Sequence, residues 1–171
     1  FKAEGIRIVT NAEVGVSPSV EELKAGFDAI VLAGGATQAR DLPIPGRELQ
    51  GVHFAMEYLQ SNTKFLLDQG ITETQRPPID ARGKHVIVIG GGDTGTDCVG
   101  TSLRLGCQSL AQLEILAQPP LERAPNNPWP EWPKVYKLDY GQEEAAAKFG
   151  ADPRQYLVPA TNFVGDAAGN V

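Results

Sequence analysis

Two apolar runs along the chain predict strands of a buried sheet. Residues 27–33 are almost continuously apolar and are followed by two glycines, and residues 85–89 are followed by a second group of glycines. Short apolar runs that end at glycine are typical of parallel strands covered on both faces. Residues 6–10 alternate apolar and polar side chains, which predicts a third, shorter strand.

Besides residues 94–105, three segments have the pattern of helices. Ser19 and Glu22 have the spacing of a capping box, which predicts a short helix over residues 20–25. Residues 53–68 carry an apolar stripe, and residues 142–149 are rich in alanine and end at a glycine. Helices that alternate with strands in this way indicate a mixed α/β protein.

The most regular part of the pattern is a strand, a helix and a strand in succession. The strand over residues 85–89 leads through a glycine turn into a helix over residues 94–105, and a strand follows over residues 109–116. This order is a βαβ unit, which makes the two strands parallel. We therefore expect an α/β, Rossmann-like, three-layer nucleotide-binding fold with a parallel sheet, of which the chain holds a part. Residues 161–164 predict one more strand.

Between the second strand of this unit and the last helix, the chain is dense in proline. Residues 119–133 contain six prolines together with Trp129 and Trp132. Proline fixes φ and has no N–H to donate, so no regular element is expected there. We expect a rigid loop in which the two tryptophans pack against the protein; anchoring of a partner is the alternative use of these side chains.

Composition and charge exclude several classes of function. The 171 residues are 42% hydrophobic and 21% charged, which is typical of a globular protein, and the formal net charge is −6. An acidic chain without a run of Lys or Arg does not suit a nucleic-acid backbone, so no nucleic-acid partner is expected. No apolar stretch reaches the roughly 20 residues of a membrane span. No secretory signal is visible, so we expect a cytoplasmic protein without membrane contact.

The cysteines and histidines form no recognisable site in the sequence. Cys98 and Cys107 lack the C-x-x-C spacing of a redox or metal site and are expected to be small buried side chains. His53 and His85 are isolated, so no metal site is expected. The G-x-S-x-G motif of hydrolases does not occur either.

The sharpest chemical signal is the glycine loop after residue 89. Its glycines have the G-x-G-x-x-G spacing, follow a predicted strand and begin a predicted helix. The first glycine allows the tight turn, the second lets a pyrophosphate approach the backbone, and the third lets the helix pack on the strand. The next N–H groups point at the anion from the helix N-terminus. We expect the loop to bind a dinucleotide, with a ligand-free glycine turn as the alternative; its residues are Gly90, Gly91, Gly92, Asp93, Thr94 and Gly95.

The end of the following strand bears on the choice of nucleotide. NAD-binding units place an acidic residue there, about 20 residues after the loop. The expected strand end is Ala117 or Gln118, and Glu114 is expected in the middle of the strand. Arg123 follows shortly and could bind a 2′-phosphate, so we expect NADP rather than NAD; a solvated loop arginine is the alternative.

A second pair of glycines, Gly34 and Gly35, ends the predicted strand over residues 27–33. Backbone without a Cβ can approach a ligand closely, so these two glycines are also candidate cofactor contacts, with a tight turn as the alternative. The residues themselves assign no catalytic acid or base.

Two further segments have a distinctive sequence: Trp-Pro-Glu-Trp-Pro at residues 129–133 and Asp-Tyr-Gly-Gln-Glu-Glu-Ala at residues 139–145. Together with the glycine loop, they make the chain resemble the glutamate synthase small-chain family, within the two-dinucleotide-binding flavoprotein oxidoreductases. Many flavoprotein reductases share the glycine loop, whereas these two segments are much more specific to this family. The resembling stretches cover most of the chain: residues 27–37, 40–49, 51–59, 88–98, 127–133 and 139–150.

The resemblance implies a reaction and its cofactors. In that family, NAD(P)H gives a hydride to FAD on the small chain. Electrons then pass through iron–sulfur clusters to the large chain, where glutamine and 2-oxoglutarate yield L-glutamate. The implied partner is the large subunit or domain of glutamate synthase, in the cytoplasm, or in the plastid of a plant or alga. Two cysteines cannot supply four cluster ligands, so iron–sulfur clusters are expected only outside this chain.

The resemblance also implies an order of parts. Residues 1–82 correspond to the end of the first FAD-domain segment, with residues 34–37 at its closing turn near the flavin. Residues 83–171 correspond to an NAD(P)-binding Rossmann domain, which is expected to be truncated. The glycine fingerprint that holds FAD in the family is not in this chain, so we expect an internal excerpt of a parent protein that binds FAD. The alternatives are another FAD/NAD(P) oxidoreductase of the same superfamily and a nucleotide-binding or adaptor module without catalysis.

Overall fold

The computed structural model describes residues 1–36, 38–70 and 75–171. These residues form two compact units, Phe1–Gln38 and Ala39–Val171. The boundary after residue 82, between an FAD-domain segment and an NAD(P)-binding domain, stays a prediction. Thr37, which the resemblance puts at the closing turn near the flavin, lies outside the described residues.

The first unit contains one short α-helix whose start follows the sequence rule. Apart from a 3₁₀ helix, Lys2–Glu4, its regular element in the described range is α1, Val20–Gly26. The Ser19 hydroxyl accepts from the Glu22 N–H at 3.2 Å, and the Ser19 N–H donates to the Glu22 carboxylate at 2.8 Å. The predicted helix and its capping box are confirmed.

The two strands predicted in the first unit are wrong. Residues 6–10 and 27–33 belong to no strand or helix, and Val31 and Leu32 keep 86% and 89% of their surface exposed. A strand forms only where a neighbour pairs with its N–H and C=O groups. Among the described residues, no strand lies beside either segment. The apolar pattern of both segments suits a buried strand, but in this structure both segments are exposed.

The second unit is built on a parallel sheet, which confirms the α/β fold class. In chain order its elements are α2 (Ala55–Gln69), β1 (His85–Ile89), α3 (Asp93–Leu105), β2 (Ser109–Glu114), α4 (Tyr140–Phe149) and β3 (Arg154–Tyr156). The strand order is β1-β2-β3, and both neighbouring pairs are parallel. In the register, Val88 lies opposite Gln112, and Gln112 lies opposite Arg154. The βαβ unit is confirmed, and β3 is a strand that the sequence did not predict.

The last part of the chain pairs with the segment before α2 instead of forming the predicted strand. Residues 161–164 are not a strand; the Phe163 N–H donates to the Pro45 carbonyl at 2.8 Å. A single parallel bridge joins Gln50 to Asn170. These contacts depend on residues more than a hundred positions away, so the local pattern could not show them.

The core of the second unit lies between the sheet and α3, with α2 and α4 packed on α3. Val99 and Ala145 are fully buried, and Val88 is 9% exposed. Successive side chains of a strand point to opposite faces, and Ile87 and Ile89 are 65% and 43% exposed. Within the described residues, the sheet is therefore covered on one face, not on the two that were expected for β1. No helix in the same residues is both long enough and apolar enough to cross a membrane.

Candidate dinucleotide-binding site

The glycine loop leaves β1 through a turn that needs glycine. Gly90 has φ +119°, a conformation that residues with a side chain rarely adopt. Its N–H donates to the Leu113 carbonyl on β2 at 2.8 Å. The chain therefore turns off the sheet directly after Ile89 and reaches the N-terminus of α3.

The second glycine of the motif leaves open space at the start of α3. Gly92 is the N-cap residue, and a Cβ placed on it would have no atom within 4 Å. No side chain in the described ranges caps this helix end, and Asp93 and Thr94 are exposed. An uncapped helix N-terminus presents N–H groups and a positive dipole end, which suit a phosphate or pyrophosphate.

The third glycine of the motif is required by packing. A Cβ on Gly95 would lie 2.5 Å from the Gly90 carbonyl oxygen and 2.8 Å from the side-chain nitrogen of Gln112. Both distances are shorter than real Cβ contacts. The helix α3 can therefore approach β1 and β2 this closely only with glycine at this position.

An acidic side chain lies against the glycine loop, at a position where the sequence did not indicate one. Glu114 is the last residue of β2, and its Oε1 accepts from the Leu116 N–H at 3.0 Å. Its Oε2 lies so close to Gly91 that a Cβ there would overlap it. The expected strand end at Ala117 or Gln118 is therefore wrong. The signal that could have found Glu114 is its position about 20 residues after the loop, where NAD-binding units carry the carboxylate that binds ribose.

Arg123, the predicted contact for a 2′-phosphate, is hydrogen-bonded within the proline-rich loop (residues 119–133). Its Nη1 donates to the carbonyl oxygens of Asn127 at 3.0 Å and Glu131 at 2.9 Å. The guanidinium therefore has a structural role there, and contact with a nucleotide stays a prediction.

A buried amide holds the proline-rich loop together. Asn127 is 3% exposed; its Oδ1 accepts from the Lys134 N–H at 2.8 Å, and its Nδ2 donates to the Trp132 carbonyl at 3.0 Å. Trp129 and Trp132 are 84% and 76% exposed, so the expectation that they pack against the protein is wrong. Hydrogen bonds to the backbone, not indole packing, fix the shape of this loop.

Gly34 and Gly35, the other predicted cofactor contacts, belong to the first unit. Both are exposed, and a Cβ on either would have no atom within 4 Å. Gly35 has φ +67°, which explains glycine at that turn. Among the described residues, none surrounds these two glycines closely enough to form a binding pocket. A role near a flavin therefore stays a prediction.

The two cysteines are buried, as predicted. Cys98 and Cys107 are 5% and 3% exposed, and both are free thiols. Burial raises the pKa of Cys98 to about 11 and also raises the pKa of Cys107, so both thiols are protonated at neutral pH. Across residues 1–36, 38–70 and 75–171, no three His, Cys, Asp or Glu side chains are grouped to hold a metal ion.

An open groove of about 480 Å³ adjoins the glycine loop. It lies between α2 and the first turn of α3, and its walls include Met56, Leu59 and Leu67 on α2 and Thr94 and Asp97 on α3. The N-terminus of α3 is therefore accessible from solvent on this side.

Comparison with known proteins gives the relatives of the chain. The family described as pyridine nucleotide-disulphide oxidoreductase matches residues 1–125. The chain is 52% identical to the glutamate synthase (NADH) of Schizosaccharomyces pombe and 51% identical to that of Saccharomyces cerevisiae; these matches cover 98% and 100% of this chain and 8% of each relative. It is 50% identical to the glutamate synthase (NADPH) small chain of Bacillus subtilis, over 98% of this chain and 34% of that protein.

These matches confirm the resemblance that the motifs indicated. The matches, at about 50% identity overall, cover nearly the whole chain. The chain spans about a third of the bacterial small chain and less than a tenth of the yeast proteins. Because the match to that family extends over residues 1–125, the chain belongs to the pyridine nucleotide-disulphide oxidoreductase family.

Proposed function

We propose that the chain is part of the NAD(P)H-oxidising flavoprotein subunit of glutamate synthase and that its second unit binds the nicotinamide nucleotide. The observation that carries the proposal is the open space at Gly92 beside the uncapped N-terminus of α3. Relatives named glutamate synthase, at about 50% identity, support the reaction. In that reaction, a hydride passes from NAD(P)H to FAD, and the electrons serve the synthesis of L-glutamate from glutamine and 2-oxoglutarate.

The glycine loop would hold the nucleotide by its pyrophosphate. NAD(P)H, when bound, supplies the hydride. The N–H groups of Asp93 and Thr94 would donate to the pyrophosphate oxygens, and the positive end of the α3 dipole would stabilise their charge. Glycine at position 92 leaves the room for this approach, since any side chain there would occupy the space above the helix end.

The carboxylate of Glu114 favours NADH over NADPH. It ends β2 beside Gly91, where a carboxylate accepts hydrogen bonds from the hydroxyls of a ribose. A 2′-phosphate would bring a second negative group to the same place, which Coulomb repulsion disfavours. The contacts of Arg123 give no support to the opposite preference, because its Nη1 binds two carbonyls of the proline-rich loop.

The remaining cofactors and the partner belong to the whole protein in this proposal. No FAD contact is assigned in the described residues beyond the prediction for Gly34 and Gly35, and iron–sulfur clusters need ligands that two buried cysteines cannot supply. The proposed partner is the large subunit or domain of glutamate synthase. The proposed location is the cytoplasm, or the plastid in a plant or alga.

The substitution Gly92→Val tests the function because it fills the ligand space without a steric clash. Gly92 has φ −79°, which any residue adopts, and an added Cβ meets nothing within 4 Å. In titrations of the full-length protein with NADH, we expect the variant to bind about tenfold more weakly or worse. The melting temperature should fall only slightly, because valine is a poorer N-cap residue than glycine.

Gly26→Val is the matched control, because Gly26 also has open space around its Cβ position but lies in the first unit. It should bind NADH as the wild type does. Equal NADH affinity in the wild type and in Gly92→Val would contradict the site. Parallel titrations with NADPH test the role of Glu114: tighter binding of NADPH would overturn the nucleotide preference and leave the site in place.

A further inference from the structure

We propose that Gln142, in the first turn of α4, positions the glycine loop for nucleotide binding by acting through Gln112 on β2. The inference rests on the function proposed above and adds a residue that lies outside the loop. It is carried by a line of buried side-chain hydrogen bonds that ends on the Gly90 carbonyl. Both glutamine side chains are almost fully buried, at 1% and 0% exposure.

The first link fixes a peptide of the loop. The Nε2 of Gln112 donates to the Gly90 carbonyl at 2.9 Å. In a planar trans peptide, the C=O and the next N–H point in opposite directions, so this bond directs the Gly91 N–H away from Gln112. Glycine has no side chain to resist rotation of this peptide. The orientation therefore depends on the bond from Gln112.

The second link holds the Gln112 amide with its nitrogen towards the loop. An amide carries a donor and an acceptor of nearly equal shape, and a reversed Gln112 would turn its oxygen towards the Gly90 carbonyl. The Nε2 of Gln142 donates to the Oε1 of Gln112 at 2.9 Å. This bond requires the oxygen of Gln112 on the side of α4 and its nitrogen on the side of the loop. The Gly90 carbonyl only accepts and requires the same orientation, so Gln142 stabilises the productive orientation from the other end of the amide.

The first turn of α4 is held against the first turn of α3, so Gln142 has a fixed place. Its Nε2 also donates to the Thr96 hydroxyl at 3.0 Å. A Cβ on Gly141 would lie 2.5 Å from the Thr96 carbonyl oxygen, and the Tyr140 hydroxyl donates to the Asp97 carboxylate. These α4 residues belong to the family-specific stretch 139–145, and the sequence alone did not indicate a role for that stretch.

The substitution Gln142→Met tests the proposal, because it removes both donated bonds and keeps an unbranched side chain of similar length. In the full-length protein, we expect the Kd for NADH to rise about tenfold, because the variant loses the buried hydrogen bonds that orient the binding loop. In NADH oxidation, KM should rise while kcat changes little, because the residue does not touch the reacting atoms.

Ser102→Ala is the matched control for general destabilisation. Ser102 is also fully buried and lies on α3, but its hydroxyl donates to the Cys98 carbonyl at 2.7 Å and hydrogen-bonds the Tyr58 hydroxyl at 3.1 Å. It should lower the melting temperature and leave the Kd for NADH unchanged. Equal weakening of NADH binding in both variants would overturn the proposal, as would a Kd in Gln142→Met within about twofold of the wild type.

Gln142→Asn replaces the methionine variant if that variant does not fold. The shorter amide cannot reach Gln112, so the same weakening is expected, and wild-type affinity would overturn the proposal. A wild-type protein that binds neither NADH nor NADPH contradicts the proposed function itself. A crystal structure of the nucleotide-free Gln142→Met protein, or of Gln142→Asn in its place, still tests the positioning role separately from the proposed function. Loss of the 2.9 Å bond between Gln112 and Gly90 supports the positioning role, and retention of this bond overturns it.

Discussion

The glycine loop and the proline-rich loop of the second unit are both fixed in shape, but by different means. In the glycine loop, missing side chains set the path: Gly90 makes the turn, and Gly95 allows the close approach of α3. In the proline-rich loop, side chains set the path, because Asn127 and Arg123 bind the backbone on either side. The spacing of glycines is visible in a sequence, whereas the partners of a buried amide are not.

The two loops also differ in what they present to solvent. The glycine loop offers the open space at Gly92 and the N-terminus of α3. The proline-rich loop presents the indoles of Trp129 and Trp132, although these residues looked like its packing anchors in the sequence. Only the first arrangement has the chemistry of an anion site, and for that reason the proposed function depends on it.

The largest expected effect comes from adding a methyl group where the glycine loop has no room. Gly95→Ala would place its Cβ against the Gly90 carbonyl, so we expect the free energy of unfolding to fall by about 3 kcal/mol. Gly92→Ala adds the same atom in open space, so we expect a loss of at most about 1 kcal/mol, from the poorer N-cap. Urea unfolding followed by circular dichroism measures both. Equal stability of the two variants would show that close packing does not fix this loop.

A smaller effect is expected in the proline-rich loop from the loss of one amide. Asn127→Ala leaves the Lys134 N–H and the Trp132 carbonyl without their partner, so we expect a loss of about 2 kcal/mol. Trp129→Ala should change stability by less than about 0.5 kcal/mol, since that side chain is exposed. Thermal unfolding distinguishes them. A larger loss in the tryptophan variant would mean that indole packing holds the loop after all.

The smallest effect, and the one that depends on pH, is expected where the chain after the proline-rich loop meets β3. The Asp152 carboxylate accepts from the Tyr136 hydroxyl at 2.6 Å and from the Arg154 guanidinium at 2.7 Å. Burial alone would raise the pKa of Asp152, but the hydrogen bonds from Arg154 and Tyr136 outweigh it and lower this pKa. The carboxylate therefore stabilises the fold above the unfolded-state pKa of about 3.9 and loses this effect as the pH falls through the lowered folded-state pKa.

Asp152→Asn should cost about 1 kcal/mol of unfolding free energy at neutral pH. The difference from the wild type should shrink in acid, below about pH 4. Unfolding in urea at neutral and at acid pH measures this. A difference that stays constant with pH would show that the charge on Asp152 has no role in holding β3.

The sequence predicted those elements whose rules are local. The capping box of Ser19 and Glu22, the bounds of β1 and the closing glycines of α3 and α4 all follow from neighbours within a few residues. Residues 27–33 have a strand pattern as clear as that of β1, yet they are exposed, because strand formation depends on a partner that their own sequence does not contain. The end of β2 at Glu114 is set by pairing with Tyr156 of β3, which is equally non-local.

The candidate site likewise contains residues whose roles the sequence predicts and residues whose roles it does not. The roles of Gly90 and Gly95 could be predicted, because a motif with fixed spacing encodes the turn and the close approach. Gln112 and Gln142 could not, since they are 30 residues apart and meet only through the packing of α4 on α3. A buried polar network leaves no periodic signal in a sequence.

In the proposed function, the start of α3 binds the pyrophosphate of a nicotinamide nucleotide. The most direct measurement is a crystal structure of the full-length protein with NADH. We expect pyrophosphate oxygens within hydrogen-bond distance of the Asp93 and Thr94 N–H groups, directly above Gly92, and the adenosine ribose at the Glu114 carboxylate. NADH bound elsewhere, with no part of it at the N-terminus of α3, would contradict this binding site.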